Sequence, residues 1–215
     1  MRYELTNPPN FEHARQSAPI AYLPWGAHEW HDKYNPLGTD TLKAQGICEE
    51  LCAQTGGVVF PGVYCGHGTI KGDAESSFTL EFSRECVELL ATEYLRQLAK
   101  AGFKVIVVLM GHYGCEHMEA IREVVSDFND SHDDSVAWAF ADFDMVGSGG
   151  CPNIGDACFE TSYIMYLHSE LVDTLCLPGE CESLASSARG RAAVNMVVET
   201  ASAEIQRLLK SKLSA

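Results

Sequence analysis

Lys104 to Met110 (KVIVVLM) is apolar at every position after the first, with no alternation and no helical period. Successive side chains of a strand point to opposite faces, so a strand can be apolar throughout only if both faces are covered. That requirement places the run in the middle of a sheet sandwiched by helices. The flanking chain supplies such helices. Val87, Leu90, Ala91, Tyr94, Leu95 and Leu98 recur at helical spacing between Ser83 and Ala101, and Gly102 is the stop. Beyond Gly111-His112-Tyr113-Gly114, a second helix carries Met118, Ile121, Val124, Val125 and Phe128 on its inner face.

The same alternation runs through the chain. Residues 1–18 are a polar lead-in with a helical middle, and Ala18 to Trp25 reads as a strand. A helix capped by Thr39 or Asp40 follows, with Leu42, Ala44, Ile47, Cys48, Leu51 and Cys52 inward and Gly56-Gly57 at its end. Val58 to Phe60 and Val136 to Phe140 are further strands. Helices are expected around Glu160 to His168 and from about Ser186 to Leu213. The glycine-rich stretches 61–78 and 147–155 read as loops, and neither GxGxxG nor GxxxxGK[ST] occurs in the first. Alternating strands and helices predict an α/β fold with a mainly parallel central sheet, as one domain over residues 1–215. In such sheets functional residues gather beyond the carboxyl ends of the strands.

Charge and cysteine usage narrow the function. Thirty acidic residues against fifteen basic ones give a net charge of −15, which argues against nucleic acid or an anionic membrane as partner. Divalent cations and small neutral or cationic molecules suit it better. The nine cysteines show neither CxxC nor zinc-finger spacing, and Cys48, Cys52 and Cys86 fall in helical runs as core residues. The N-terminus has no apolar signal region, and no apolar run approaches the roughly 20 residues of a membrane span. A cytoplasmic protein with reduced thiols is expected.

The chemistry concentrates in Gly26-Ala27-His28-Glu29-Trp30-His31-Asp32 and the following Pro36-Leu37-Gly38-Thr39-Asp40-Thr41. Glu29 and His31, two residues apart, share one side of an extended segment, whereas His28 and Trp30 face the other way. Asp40 follows where the pattern turns helical, so a loop can fold its carboxylate back. One imidazole and two carboxylates suit Zn, Mn or Fe(II), and a bridging carboxylate makes a two-metal hydrolytic site feasible. His112 directly follows the central strand in a glycine-flanked turn, which places it at the same edge. Glu160 sits at a loop–helix junction, where it can act as a ligand or simply favour the helix dipole.

These strings resemble the creatininase (creatinine amidohydrolase) family: LPWGAHEWH, PLGTDTL, VVLMGHYG and FETS occur in order between residues 20 and 170, and SLASSARGRA resembles its final helix. The resemblance implies a three-layer α/β/α fold and a binuclear metal centre. It makes Glu29, His31, Asp40 and His112 metal ligands with Asp40 as the bridge, and Glu160 the fifth. Family members cleave non-peptide C–N bonds, and at least one relative acts on an inosose ketone. Homo-oligomers are common among them. The chain departs from creatininase at Gly114, where creatininase has a metal-ligating Glu, and at Gly155, where it has a His. The substrate-loop tryptophan is missing from residues 147–155, and Gly66-His67-Gly68-Thr69 replaces FPGT.

The resulting expectation is an amidohydrolase with two divalent ions (Zn, Mn or Fe(II)). A metal-bridging hydroxide would attack a small cyclic amide or formamide, with Asp156 or His67 as proton donor to the leaving nitrogen. The alternatives are ring opening of an inosose-like ketone, or a non-catalytic relative that binds metal or ligand.

Overall fold

The computed structural model describes residues 1–69, 78–146 and 157–214. Helix α1 (Pro8–Ser17) is capped by Asn7, whose side chain accepts from the Asn10 amide. It leads into strand β1 (Ile20–Gly26), buried at every position. Helix α2 (Thr39–Thr55) returns the chain to β2 (Val58–Val59) and β3 (Val63–Tyr64). Then come α3 (Arg84–Lys100), β4 (Val105–Met110), α4 (Cys115–Ser131), β5 (Val136–Ala141) and the short α5 (Asp142–Val146). The chain ends with α6 (Ala157–Leu167), α7 (Gly179–Leu184) and α8 (Ser187–Leu213).

Every pairing between these strands is parallel, in the order β2-β1-β4-β5. The register runs Ile20↔Val105 to Trp25↔Met110 between β1 and β4, and Val105↔Val136 to Met110↔Ala141 between β4 and β5. β3 pairs with the end of β1, through Trp25↔Val63 and Gly26↔Tyr64.

Alternate residues of the central strands feed two separate cores, which is why Val105–Met110 tolerates no polar side chain. Ile20, Tyr22, Val105, Val107 and Leu109 pack with Ile47 and Leu51 of α2, Tyr163 of α6 and Val194, Val197 and Ile205 of α8. Their neighbours Leu23, Trp25, Ile106, Val108 and Met110 pack with Val87 and Leu95 of α3 and Ile121, Val125 and Phe128 of α4. The result is the expected three-layer α/β/α arrangement.

Several details differ from the sequence reading. The 61–78 stretch contains β3, and α5 and α7 are short helices that the periodicity does not show. Helix α2 starts at Thr39 after Gly38, which makes no side-chain cap, so Asp40 lies inside the first turn with its carboxylate committed elsewhere. Cys48 and Cys52 are buried, but Cys86 is exposed on α3. Reduced thiols were expected throughout, yet Cys158 of α6 and Cys181 of α7 form a disulfide across 23 residues. The glycine-rich loop 147–155 and Asp156 lie outside the described residues.

Candidate metal centre

Beyond Gly26 the chain makes a tight excursion before α2. Asp32 adopts a left-handed conformation (φ 59°), one that Asp tolerates better than most residues. The Glu29 amide donates to the Leu37 carbonyl at 3.0 Å, closing the excursion, and Asn35 Nδ2 donates to Thr161 Oγ1 of α6 at 2.9 Å. This geometry carries Glu29 and His31 back over the start of α2, where Asp40 points inward. β4 ends beside them and delivers His112. The approach is so close that a Cβ on Gly111 would lie 2.1 Å from the Asp40 carbonyl oxygen. Only glycine fits there.

Asp40, 1% exposed, is the centre of the cluster. Its Oδ1 is 2.9 Å from His31 Nε2, and its Oδ2 is 3.2 Å from His112 Nδ1. Each histidine faces a second carboxylate as well: His31 Nε2 lies 3.4 Å from Glu160 Oε2, and His112 Nδ1 lies 3.0 Å from Glu29 Oε2. Two half-sites share one aspartate. His31 with Glu160 makes one, and His112 with Glu29 makes the other.

The opposite nitrogen of each ring fixes its tautomer. His31 Nδ1 is 3.1 Å from the Glu29 carbonyl oxygen, and His112 Nε2 is 3.0 Å from the His67 carbonyl oxygen. A carbonyl oxygen only accepts, so each ring spends a proton there and turns a lone pair toward two carboxylates. Such an arrangement calls for positive charge. Burial opposes protonation, but Asp40 and Glu160 raise the His31 pKa well above its ordinary value. Burial opposes it at His112 too, where Asp40 and Glu29 push the pKa up to about 10. The two histidines in turn hold Asp40 ionised against its burial, well below the usual carboxylate range.

These donors fit divalent ions. Zn–N and Zn–O bonds of about 2.0–2.2 Å in a tetrahedral site put neighbouring donors roughly 3.3 Å apart, close to the spacings already present. Glu29, His31 and Asp40 offer atoms all within 4.8 Å of one another, and Asp40 Oδ2 is a buried oxygen without a hydrogen bond. Carboxylates and imidazoles favour Zn, Mn or Fe(II).

Comparison with known proteins places the chain in a family. The family model for creatininase, described as creatinine amidohydrolase, matches residues 4–180. The chain belongs to the creatininase family. A creatinine amidohydrolase of Pseudomonas putida is 28% identical over 97 residues, which is 44% of this chain and 37% of that relative, so the chain matches well under half of the relative's length. A Zn-Zn type creatininase variant superposes with a TM-score of 0.76 at 18% identity, covering 96% of this chain and 97% of that one. A Mn creatininase gives 0.76 at 19% identity, with the same coverage. At these identities the likeness establishes the fold.

The creatininase-family fold brings Glu29, His31, Asp40, His112 and Glu160 together beyond the carboxyl ends of β1 and β4. The imidazole of His67 is held apart from them. Its Nδ1 is 2.9 Å from the Phe82 carbonyl oxygen, and its Nε2 is 3.2 Å from Glu116 Oε2. His67 meets the cluster through its backbone, at His112. Gly114, where creatininase has Glu, borders the same contact: a Cβ there would lie 2.7 Å from both His112 Nε2 and the His67 oxygen. His117, near the start of α4, is fully buried, with its ring 5.1 Å from that of His112. His28 and Trp30 do face away, stacked on Tyr64 and Phe78.

Lys43 escapes a search for ligand motifs. Its ammonium is completely buried and lies 2.6 Å from both Glu160 Oε1 and Tyr113 Oη. Tyr113 Oη is in turn 2.8 Å from both oxygens of Asp142, the residue just after β5. The available signal was a lysine within the apolar stripe of α2, one turn before Ile47.

Proposed function

We propose that this chain is a metal-dependent hydrolase that opens a non-peptide C–N bond in a small cyclic amide or formamide-type substrate, acting as one domain. The observation that carries the reading is Asp40, whose two oxygens address two histidine lone pairs, each backed by a further carboxylate. Glu29, Asp40 and His112 would hold one divalent ion, and His31, Asp40 and Glu160 a second; the Zn and Mn relatives favour those metals. Ions bound there would lower the pKa of a coordinated water to near 7 and polarise a carbonyl.

The protein's own groups set the conditions for that chemistry. The carbonyl oxygens of Glu29 and His67 hold the two imidazoles in the tautomer that offers a lone pair inward. Burial of the five side chains excludes bulk water and strengthens every charge interaction among them. Proton delivery to the leaving nitrogen falls to Asp156 or His67, whose Nε2 lies 3.2 Å from the Glu116 carboxylate. No helix among the described residues is long and apolar enough to cross a membrane, and the acidic surface fits a small neutral or cationic substrate.

The test combines metal analysis with a substrate panel. Protein purified without chelator is expected to carry about two divalent ions per chain and to hydrolyse at least one lactam, cyclic urea or formamide. Metal-replete protein inert to all of these, but active on a cyclic ketone of inosose type, would replace the C–N reading. Inertness to both would leave a binding protein.

A further inference from the structure

Lys43 is built into the fold more deliberately than a surface ion pair. It points from α2 into the space between Glu160 of α6, Tyr113 beyond β4 and Asp142 beyond β5. Its ammonium contacts Glu160 Oε1 and Tyr113 Oη at 2.6 Å each and lies 3.9 Å from Asp142 Oδ1. The Tyr113 ring centroid is 3.9 Å from the ammonium and that of Tyr163 is 5.6 Å away. Tyr113 accepts from Lys43 and donates to Asp142, so no group in the chain competes for one hydrogen. Burying an ammonium costs stability that a methionine would not. A role beyond packing is therefore called for.

We propose that Lys43 is a positioning residue for Glu160: it confines Glu160 to one-oxygen coordination and lowers the affinity of the His31 half-site for a divalent ion. The inference rests on the metal-centre reading above. Glu160 Oε1 is committed to the ammonium, and Oε2 is the oxygen that faces His31 at 3.4 Å. A two-oxygen grip on an ion would require breaking the Lys43 contact. The fixed positive charge also opposes a second cation on the same carboxylate, in a buried setting where screening is weak. Lys43 pairs with Glu160 and Asp142, whereas Glu29, the carboxylate of the other half-site, faces His112. One-oxygen coordination leaves a position for water or substrate beside Glu160.

The experiment is Zn2+ titration of chelator-stripped, full-length protein against a chromophoric chelator, comparing wild type with Lys43→Gln. Glutamine keeps an N–H for Glu160 but removes the charge. One ion is expected to bind about tenfold more tightly or better in the variant, and the other to gain less, because Lys43 reaches it only through the shared Asp40; a urea melt reports on folding. Lys43→Met serves in its place if Lys43→Gln does not fold. Unchanged or weakened binding of both ions in a folded variant would overturn the proposal. A crystal structure of the Zn-loaded wild type is the independent check: Glu160 is expected to ligate through one oxygen with Lys43 on the other, and two-oxygen ligation refutes it. A wild type that binds no divalent ion would instead remove the metal-centre reading itself.

Discussion

His112 and His67 are joined by one hydrogen bond, from the His112 ring Nε2 to the main-chain oxygen of His67 at 3.0 Å. That bond aims the His112 lone pair at Glu29 and Asp40. Gly114 guards it, because a Cβ there would sit 2.7 Å from both partners. Gly114→Ala is expected to displace the imidazole or the carbonyl and to lower metal affinity and turnover about 10–100-fold. The fold would survive, with a stability loss of about 1–3 kcal/mol. Metal titration alongside a urea melt checks this. Wild-type metal affinity in the variant would mean that the His112–His67 bond does not set the site.

Asp40→Asn probes the shared aspartate. The amide keeps the shape but loses the charge that both histidines face, and an amide nitrogen repels a cation. Elemental analysis of the variant is expected to show less bound metal than the wild type, with turnover down more than about a hundredfold. Stripping the wild type with a chelator should produce the same inactivity, reversed by Zn or Mn. Full activity in Asp40→Asn would sink the bridging role.

The fold was legible because its strongest signal, the Val105–Met110 run, admits one environment. Helix periodicity supplied the two outer layers. Short elements escaped: β3 is two residues inside a glycine-rich stretch, and α5 and α7 are too short to show a period. Glu29, His31 and His112 were visible as residue types beyond strand ends, Asp40 at a helix start and Glu160 at a loop–helix junction, and the structure does bring them together. Their pairing into half-sites was not visible, since it depends on which oxygen of Asp40 meets which ring. Lys43, Tyr113 and Asp142 went unread because they come from three elements and match no ligand motif. The burial of His117 was not visible either, since a place near a helix start suggests solvent, whereas it faces Trp25 and His112 in the core.

The Cys158–Cys181 bridge ties α6, two residues before Glu160, to α7. A bridge closing a loop of this length contributes about 2–4 kcal/mol. Thiol reductant is expected to lower the Tm of the wild type by several degrees, on the order of 5 °C, while leaving a Cys158→Ser/Cys181→Ser variant unmoved. Equal responses in both proteins would show that the pair is not bonded in solution.

His117 gives a pH signature of its own. It is fully buried and neither ring nitrogen has a hydrogen-bond partner. Burial first, then the charge on His112, pushes its pKa down to about 3 from the ordinary 6.5. The unfolded chain therefore takes up this proton near pH 6.5, while the folded protein resists it until about pH 3. Stability from this group is complete above pH 6.5 and drains as pH falls, by about 1.4 kcal/mol per unit below it. His117→Met has similar volume and no proton to bind. Between pH 7 and pH 5 the variant is expected to lose about 2 kcal/mol less unfolding free energy than the wild type, measured in urea. Equal losses would place the His117 ring in contact with water.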